Sequence, residues 1–125
     1  MNVVDSCGWL EYFADGENAD FFAPIIEDTA SLIVPVISLF EVFKRVLQQR
    51  TENDALRAVA LMQQARVVAL DDVLALSAAK LSFDLKLPMA DSLILATARV
   101  HAAVLWTQDD DFSGIQGVQY IQKYS

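Results

Sequence analysis

Three consecutive carboxylates, at positions 109–111, directly follow a short apolar segment near the end of the chain. The apolar residues 104–106 are predicted to form a buried strand, which places the carboxylates in the loop at its C-terminal end. In open α/β sheets, ligands bind at this edge. Because adjacent carboxylates repel one another, the loop favours a compensating cation. A solvated acidic turn is the alternative that this segment leaves open by itself.

Short apolar segments and amphipathic segments of helical period alternate along the whole chain. This alternation is typical of a parallel sheet with crossover helices on both of its faces. The predicted fold class is therefore α/β, and the length of 125 residues fits one domain over positions 1–125. We predict strands over residues 2–5, 31–34, 66–70, 104–106 and 118–121.

Polar residues at the predicted helix starts have the spacing of N-terminal caps. Ser6 is predicted to cap the helix that follows the first strand. Ser38 and Glu41 have the Ser-x-x-Glu form of a capping box, which predicts a third helix over residues 38–50. The helical period then predicts which positions face the core, and it assigns Leu47 to the buried side of this helix.

Two further helices matter for the core and for the chemistry. On the fourth helix, the helical period assigns Leu56 to the buried face. Residues 89–101 are apolar almost all round, which predicts a deeply buried helix. Asp91 lies inside this apolar segment, and a partly buried acid without a partner is costly. This carboxyl group therefore needs a cation, a hydrogen-bond donor or a proton.

Five acidic residues lie either at the carboxyl end of a predicted strand or in the first turn of a predicted helix. Asp5 ends the first strand, while Asp109 and Asp111 follow the fourth. Glu41 and Asp91 lie in the first turns of predicted helices. Because parallel strands place their carboxyl ends on one edge, we expect these side chains to converge there. Each also has a simpler interpretation, as a capping residue, a helix-start acid or a solvated turn.

Composition excludes several classes of function. The net charge of −8 and pI of about 4.3 argue against binding nucleic acid through a basic face, and they fit metal binding, a basic protein partner or solubility alone. The single cysteine and the single histidine, Cys7 and His101, lack partners at zinc-ligand spacing. We find neither an apolar segment of the ~20 residues that span a membrane nor a signal peptide. We therefore expect a cytoplasmic protein.

The acidic set predicts a hard divalent cation. Between Arg99 and Lys123 the sequence contains no lysine or arginine that could neutralise the carboxylates. Mg²⁺ and Mn²⁺ prefer oxygen ligands of this kind.

Four segments of the chain form a combined pattern: Val4-Asp5-Ser6, Ser38-Leu39-Phe40-Glu41-Val42, residues 87–98 and residues 105–112. The proline–Ala-Asp–apolar helix followed by Thr-x-Asp-x-Asp-Phe is the more specific part. Together the segments resemble the PIN domain family, and specifically the VapC-type toxin ribonuclease of VapBC toxin–antitoxin systems, over essentially the whole chain. The resemblance implies a three-layer α/β/α fold with a central, mainly parallel sheet of four to five strands.

The resemblance also implies an activity, a cofactor and partners. It implies an endoribonuclease that hydrolyses RNA phosphodiester bonds with water activated by one or two Mg²⁺ or Mn²⁺ ions, a homodimer, and a cognate VapB-like antitoxin. By motif, the catalytic and metal-binding quartet is Asp5, Glu41, Asp91 and Asp109. The supporting positions are Ser6, Thr107 and Asp111, whereas Asp110 occupies a variable position and is expected to be solvated.

An acidic pocket repels RNA until metal fills it, so the substrate needs basic contacts elsewhere. Lys44 and Arg45, just after Glu41, and Lys86, just before the helix that carries Asp91, are the candidates for contacts with RNA phosphates. The alternative for these three residues is solvated helix surface.

Two other functions are compatible with parts of the pattern. A catalytically silent PIN fold could serve as a binding module, although the intact acidic set argues against it. A receiver-like phosphoacceptor domain needs an acceptor Asp after the third strand and a lysine after a later one. Here the third strand is predicted to end at Leu70, and the following Asp71 is predicted to cap a helix.

Overall fold

Five parallel strands form a single sheet in the computed structural model, which describes residues 1–123. Along the chain they are β1 (Asn2–Val4), β2 (Leu32–Pro35), β3 (Arg66–Val68), β4 (Val104–Thr107) and β5 (Val118–Tyr120). The spatial order is β3-β2-β1-β4-β5, so β1 lies at the centre, hydrogen-bonded to both β2 and β4. The predicted parallel α/β sheet is confirmed.

Helices connect the first four strands in succession and cover both faces of the sheet, whereas a 3₁₀ turn connects β4 to β5. None of them, within residues 1–123, has the length and apolar character that a membrane span requires. The helices are α1 (Ser6–Phe13), α2 (Ala19–Glu27), α3 (Val36–Gln49), α4 (Glu52–Met62), α5 (Asp72–Leu85) and α6 (Met89–Val100), with short 3₁₀ turns at Thr29–Ser31 and Asp110–Phe112.

Two hydrophobic cores lie on opposite sides of the sheet. Because successive strand residues point to opposite faces, the adjacent Val3 and Val4 of β1 belong to different cores. Val4 packs with Trp9 and the other buried residues of α1 to α4. Val3 packs with Ile94 of α6 and with Phe112, which follows the acidic loop. The result is the expected three-layer α/β/α arrangement.

The predicted helix caps are partly wrong. Asp5, not Ser6, caps α1, because its Oδ1 accepts a hydrogen bond from the Ser6 backbone N–H at 2.8 Å. The third helix starts at Val36, two residues earlier than predicted, because Pro35 has a fixed φ that suits the boundary between strand and helix. Ser38 therefore lies inside the helix, fully buried, and forms no capping box.

The predicted buried faces of α3 and α4 also need correction. Leu47 is 44% exposed and Leu56 is 52% exposed, although the helical period assigned both to the core. In α4 the buried positions are instead Ala55, Ala58 and Met62. Small alanines allow α3 and α4 to approach closely, so the larger side chains lie outside their contact. The third strand also ends earlier than predicted and forms an exposed edge of the sheet.

Candidate active site

The central strand and its neighbour bring three carboxylates together at the carboxyl edge of the sheet. Asp5 directly follows β1, and Asp109 lies two residues beyond β4. Asp91 is in the first turn of α6. One carboxylate oxygen from each of these three residues lies within 4.8 Å of the others. Residues from distant parts of the chain therefore form one compact acidic cluster.

Asp5 is held in one orientation by three donors. Its Oδ1 accepts from the Ser6 backbone N–H at 2.8 Å. Its Oδ2 accepts from the Thr107 hydroxyl at 2.8 Å and from the Cys7 thiol at 3.2 Å. The same Thr107 oxygen accepts from the Asp109 backbone N–H at 2.9 Å. Thr107 thus links the carboxylate of Asp5 to the loop that carries Asp109.

Glu41 lies beside this cluster and is fixed by a different partner. The Ser6 hydroxyl donates to Glu41 Oε1 at 2.7 Å. Glu41 contributes no oxygen to the group of three within 4.8 Å, but its charge is close enough to raise the pKa of Asp91. Ser6 therefore orients Glu41 toward the site instead of capping α1.

The acidic loop after β4 folds around Asp109. The Asp111 backbone N–H donates to Asp109 Oδ1 at 3.0 Å, so Asp109 caps the short 3₁₀ turn. The side chains of Asp110 and Asp111 are exposed. Carboxylate oxygens of all three residues lie within 4.8 Å of one another. Asp110 is thus solvent-accessible, as expected, yet close to the cluster.

The cluster is negatively charged and lacks a neutralising side chain. Burial, more than any other cause, raises the pKa of Asp5 to about 6. The pKa of Asp91 is raised to about 7, first by burial and then by neighbouring charges. In residues 1–123 the one ion pair within 4.0 Å joins Lys80 to Asp84 on α5. Converging oxygen donors with uncompensated charge fit a hard divalent cation.

The predicted basic contacts remain outside the acidic cluster. Lys44 extends along the ring of Phe40, with its Nζ 5.8 Å from the ring centroid. Arg45 and Lys86 are exposed. Within the described part of the chain, none of the three bases forms an ion pair with a carboxylate of the cluster. Their role in binding phosphates stays a prediction.

Sequence analysis missed the polar residues that flank the carboxylates. Burial raises the pKa of the Cys7 thiol, so Cys7 stays a neutral donor to Asp5. Gln108 is buried, and its Oε1 accepts from Asn18 Nδ2 at 2.9 Å. Their positions in the sequence were the available signal, because Cys7 is two residues after Asp5 and Gln108 directly precedes Asp109. His101 lies at the end of α6, with Nδ1 2.9 Å from the Thr97 carbonyl.

Replacing Thr107 by valine tests the link between the two sides of the cluster. Thr107 is fully buried, and valine has a similar shape but neither donates to Asp5 nor accepts from Asp109. Removal of such a supporting group typically costs ~10–100-fold in metal affinity or activity. We expect a loss of that size in the Mn²⁺ affinity measured by calorimetry. Thr107→Ser should restore most of the affinity, and equal affinities of valine variant and wild type would contradict the proposed link.

The raised pKa values predict how the stability of the metal-free protein depends on pH. Asp5 and Asp91 titrate near 6 and 7 in the folded state, against an ordinary value of 3.8. Between the ordinary pKa of 3.8 and these raised values, the folded protein binds more protons than the unfolded chain. Its stability therefore falls as pH rises through this range and levels off above about pH 7. Denaturant unfolding in EDTA should show that Asp91→Asn gains stability over wild type as pH rises. A stability difference between Asp91→Asn and wild type that stays constant with pH would contradict the raised pKa of Asp91.

The chain is an α/β domain with a carboxylate site. Its parallel sheet has the order β3-β2-β1-β4-β5, and the acidic cluster lies at the carboxyl edge of that sheet. A family model supplies the narrower assignment. The PIN domain family model matches residues 3–118. The chain therefore belongs to the PIN domain family. None of the curated protein sequences compared with the chain matches it.

Solved structures of toxin–antitoxin proteins share the fold. A toxin–antitoxin complex from Klebsiella pneumoniae has a TM-score of 0.79 at 22% sequence identity. The match covers 95% of this chain and 96% of the matched chain of the complex. VapC20 of Mycobacterium tuberculosis, a Sarcin-Ricin loop cleaving toxin, has a TM-score of 0.76 at 16% identity, with coverages of 93% and 95%. VapBC2 of Rickettsia felis, bound to promoter DNA, has a TM-score of 0.73 at 12% identity, with 97% of both chains covered. At sequence identities this low, the similarity to these structures shows a shared fold alone.

Proposed function

We propose that the chain is a divalent-metal-dependent endoribonuclease and the toxin of a VapBC-type pair. The observation that carries this proposal is the convergence of Asp5, Asp91 and Asp109 within 4.8 Å. Membership of the PIN domain family and the likeness to toxin structures support the assignment. The substrate in this proposal is RNA, cleaved at its phosphodiester bonds by water.

The residues of the cluster suit distinct roles in such a reaction. Asp5, Asp91 and Asp109 would hold one or two Mg²⁺ or Mn²⁺ ions, which supply an activated water and offset charge on the scissile phosphate. Asp91, with its pKa raised to about 7, must lose its proton to serve as a ligand. Glu41 has Oε1 fixed by Ser6, which leaves its Oε2 to accept a hydrogen bond from water. Thr107 holds Asp5 and Asp109 in fixed positions relative to each other through its two hydrogen bonds.

The same proposal includes a VapB-like antitoxin as partner. Phe40, Leu47 and Leu56 leave large apolar surfaces exposed on α3 and α4, at 61%, 44% and 52%. Exposed apolar surface of this kind is typical of protein-binding sites. The net charge of −8 suits a basic partner segment. Solved structures with this fold include toxin–antitoxin complexes.

A homodimer is also part of the proposal. Val73, Leu76 and Phe83 lie on one side of α5 and are 65%, 72% and 85% exposed. Positions spaced in this way share one helix face, so a second copy could cover the stripe they form. Since the proposed substrate is cellular RNA, the proposal places the enzyme in the cytoplasm.

Thermal unfolding with Mn²⁺ or Mg²⁺ tests whether the cluster holds metal. We expect the unfolding temperature to rise with metal concentration, because a ligand at 100 times its Kd stabilises the folded state by about 2.7 kcal/mol. The rise should disappear in Asp91→Asn. Asp72→Asn, an exposed acid in the first turn of α5, is the matched control and should keep it. A wild-type protein that is not stabilised by either metal would favour a silent PIN-fold binding module.

A further inference from the structure

A polar cavity of about 460 Å³ opens beside the acidic cluster. It lies at the carboxyl edge of the sheet, past the ends of β4 and β5, and Asp109 belongs both to the cavity and to the cluster. Its volume is within the ~300–1,000 Å³ typical of small-ligand sites. The lining residues that matter here are Gln108, Asp109, Asp110, Tyr120 and Lys123.

Gln108 presents unused donors to this cavity. Its side chain is only 5% exposed, and its Oε1 accepts from Asn18 Nδ2 at 2.9 Å. Asn18 is itself held in place, because it also donates to the backbone carbonyl of Gln122 at 3.1 Å. The amide of Gln108 therefore has a fixed orientation. Its Nε2 donates no hydrogen bond within residues 1–123, so both N–H groups are available to a ligand in the cavity.

Tyr120 contributes an aromatic side chain to the lining of the cavity. It ends the edge strand β5, in register with Thr107 of β4. The next residue, Ile121, donates its backbone N–H to the Thr107 carbonyl at 3.0 Å, which fixes the end of the strand. Through Thr107, the strand end that carries Tyr120 is thus connected to Asp5. An aromatic side chain beside a nuclease centre is suited to stack on an RNA base.

The charges of the cavity favour a neutral ligand group. Asp109 and Asp110 contribute two negative charges against one positive charge from Lys123, so the cavity repels a phosphate. The fixed Gln108 amide donates, and the exposed Asp110 carboxylate accepts. A base edge that offers a carbonyl oxygen next to a ring N–H matches this pair. Uracil and guanine have that edge, whereas cytosine and adenine present an amino group next to an unprotonated nitrogen.

We propose that this cavity is a subsite for a keto base, uracil or guanine, of the RNA nucleotide next to the reacting phosphate. Tyr120 stacks on the base, Gln108 donates to its carbonyl oxygen, and Asp110 accepts from its ring N–H. The position next to the reacting phosphate rests on the proposed nuclease function. The recognition of the base itself does not, because it depends only on the cavity.

Neutral nucleosides test the subsite without metal or catalysis. Uridine and cytidine differ mainly at the edge in question, and neither carries a phosphate. In NMR titrations of the full chain, we expect saturable shifts of the Gln108 and Tyr120 resonances. Uridine should bind at least about 5-fold more tightly than cytidine, which is the low end for a well-matched base contact. No saturable uridine binding, or equal affinities for both nucleosides, would overturn the proposal.

Two substitutions separate stacking from edge recognition. Tyr120→Ala should weaken uridine binding by about 5-fold or more, whereas Tyr120→Phe should preserve it. Asp110→Asn should reduce the preference for uridine over cytidine toward unity, and Asp72→Asn serves as the control with an unchanged preference. Normal uridine binding by Tyr120→Ala, or an unchanged preference in Asp110→Asn, would contradict the assigned roles.

Cleavage of an RNA pool of random sequence then tests the location of the subsite. We expect the wild-type cleavage sites, mapped by sequencing, to be enriched in uracil or guanine at one fixed position, and Tyr120→Ala to lose that enrichment. Cleavage that needs Asp91 but has the same base distribution in both proteins would overturn the location alone. Uridine binding without any Asp91-dependent cleavage would overturn the nuclease function and leave the base site in place.

Discussion

Asp91→Asn is expected to abolish RNA cleavage while making the metal-free protein more stable. Asparagine keeps the shape of the side chain but removes the charge that binds metal in the proposed site. Loss of a group that merely supports a metal ligand costs ~10–100-fold, so we expect the loss of a direct ligand to reduce the cleavage rate by at least about 1,000-fold. The measurement is the rate of cleavage of a mapped RNA site with Mn²⁺ present.

The gain in stability has a separate physical cause. Asp91 has a raised pKa because burial and four neighbouring acids disfavour its ionised form. Above about pH 7 the folded protein must keep this carboxylate charged beside the others, and asparagine removes that repulsion. Unfolding by denaturant in EDTA at pH 8 measures the gain.

Opposite changes in activity and stability distinguish a functional acid from a structural one. If Asp91 served only the fold, its replacement would lower stability and reduce activity in parallel. Asp72→Asn is the control, because Asp72 is also in the first turn of a helix but is exposed. This variant should cleave RNA at the wild-type rate. Equal cleavage by Asp91→Asn and wild type would refute the proposed site.

Phe112→Ala is expected to destabilise the protein by about 3–5 kcal/mol, the usual cost of deleting a buried Phe side chain. Phe112 is fully buried in the core that contains Val3 and Ile94. It directly follows the acidic loop, so it also anchors Asp109 and Asp111. The loss is a large part of the 5–15 kcal/mol that stabilises a typical domain. Denaturant unfolding measures it.

Phe40→Ala provides the matched control for this prediction. Phe40 is 61% exposed, and the Lys44 ammonium lies over its ring. Its removal should cost less than about 1 kcal/mol. A loss below 1 kcal/mol in Phe112→Ala as well would show that the acidic loop is not anchored through this ring.

The convergence of the carboxylates could be predicted because it depends on topology. Asp5 and Asp109 each follow a strand, and Asp91 begins a helix. Once the strands are parallel, their ends meet at one edge regardless of side-chain packing. The local details were less predictable. Pro35 started α3 early, which buried Ser38 and freed Glu41 to bond with Ser6, a residue 35 positions away.

Buried faces and supporting residues depended on contacts between distant parts of the chain. The core positions of α4 include Ala55 and Ala58, whose small side chains carry a weak hydrophobic signal, whereas Leu56 lies outside. The orientation of Gln108 depends on Asn18, 90 positions earlier in the chain. Helical period and local motifs contain no information about such pairs, so these features emerged only from the folded chain.

The strand order has a consequence for when the acidic cluster can exist during synthesis. Among the five strands of the sheet β1 comes first along the sequence, yet its second neighbour, β4, comes fourth. The Asp5 backbone N–H bonds to the Trp106 carbonyl at 2.9 Å, so Asp5 is synthesised well before its partner. A growing chain that has released only β1 to β3 lacks Asp91 and Asp109 altogether. A nascent chain therefore cannot assemble the acidic cluster until β4 and the loop that carries Asp109 have been synthesised.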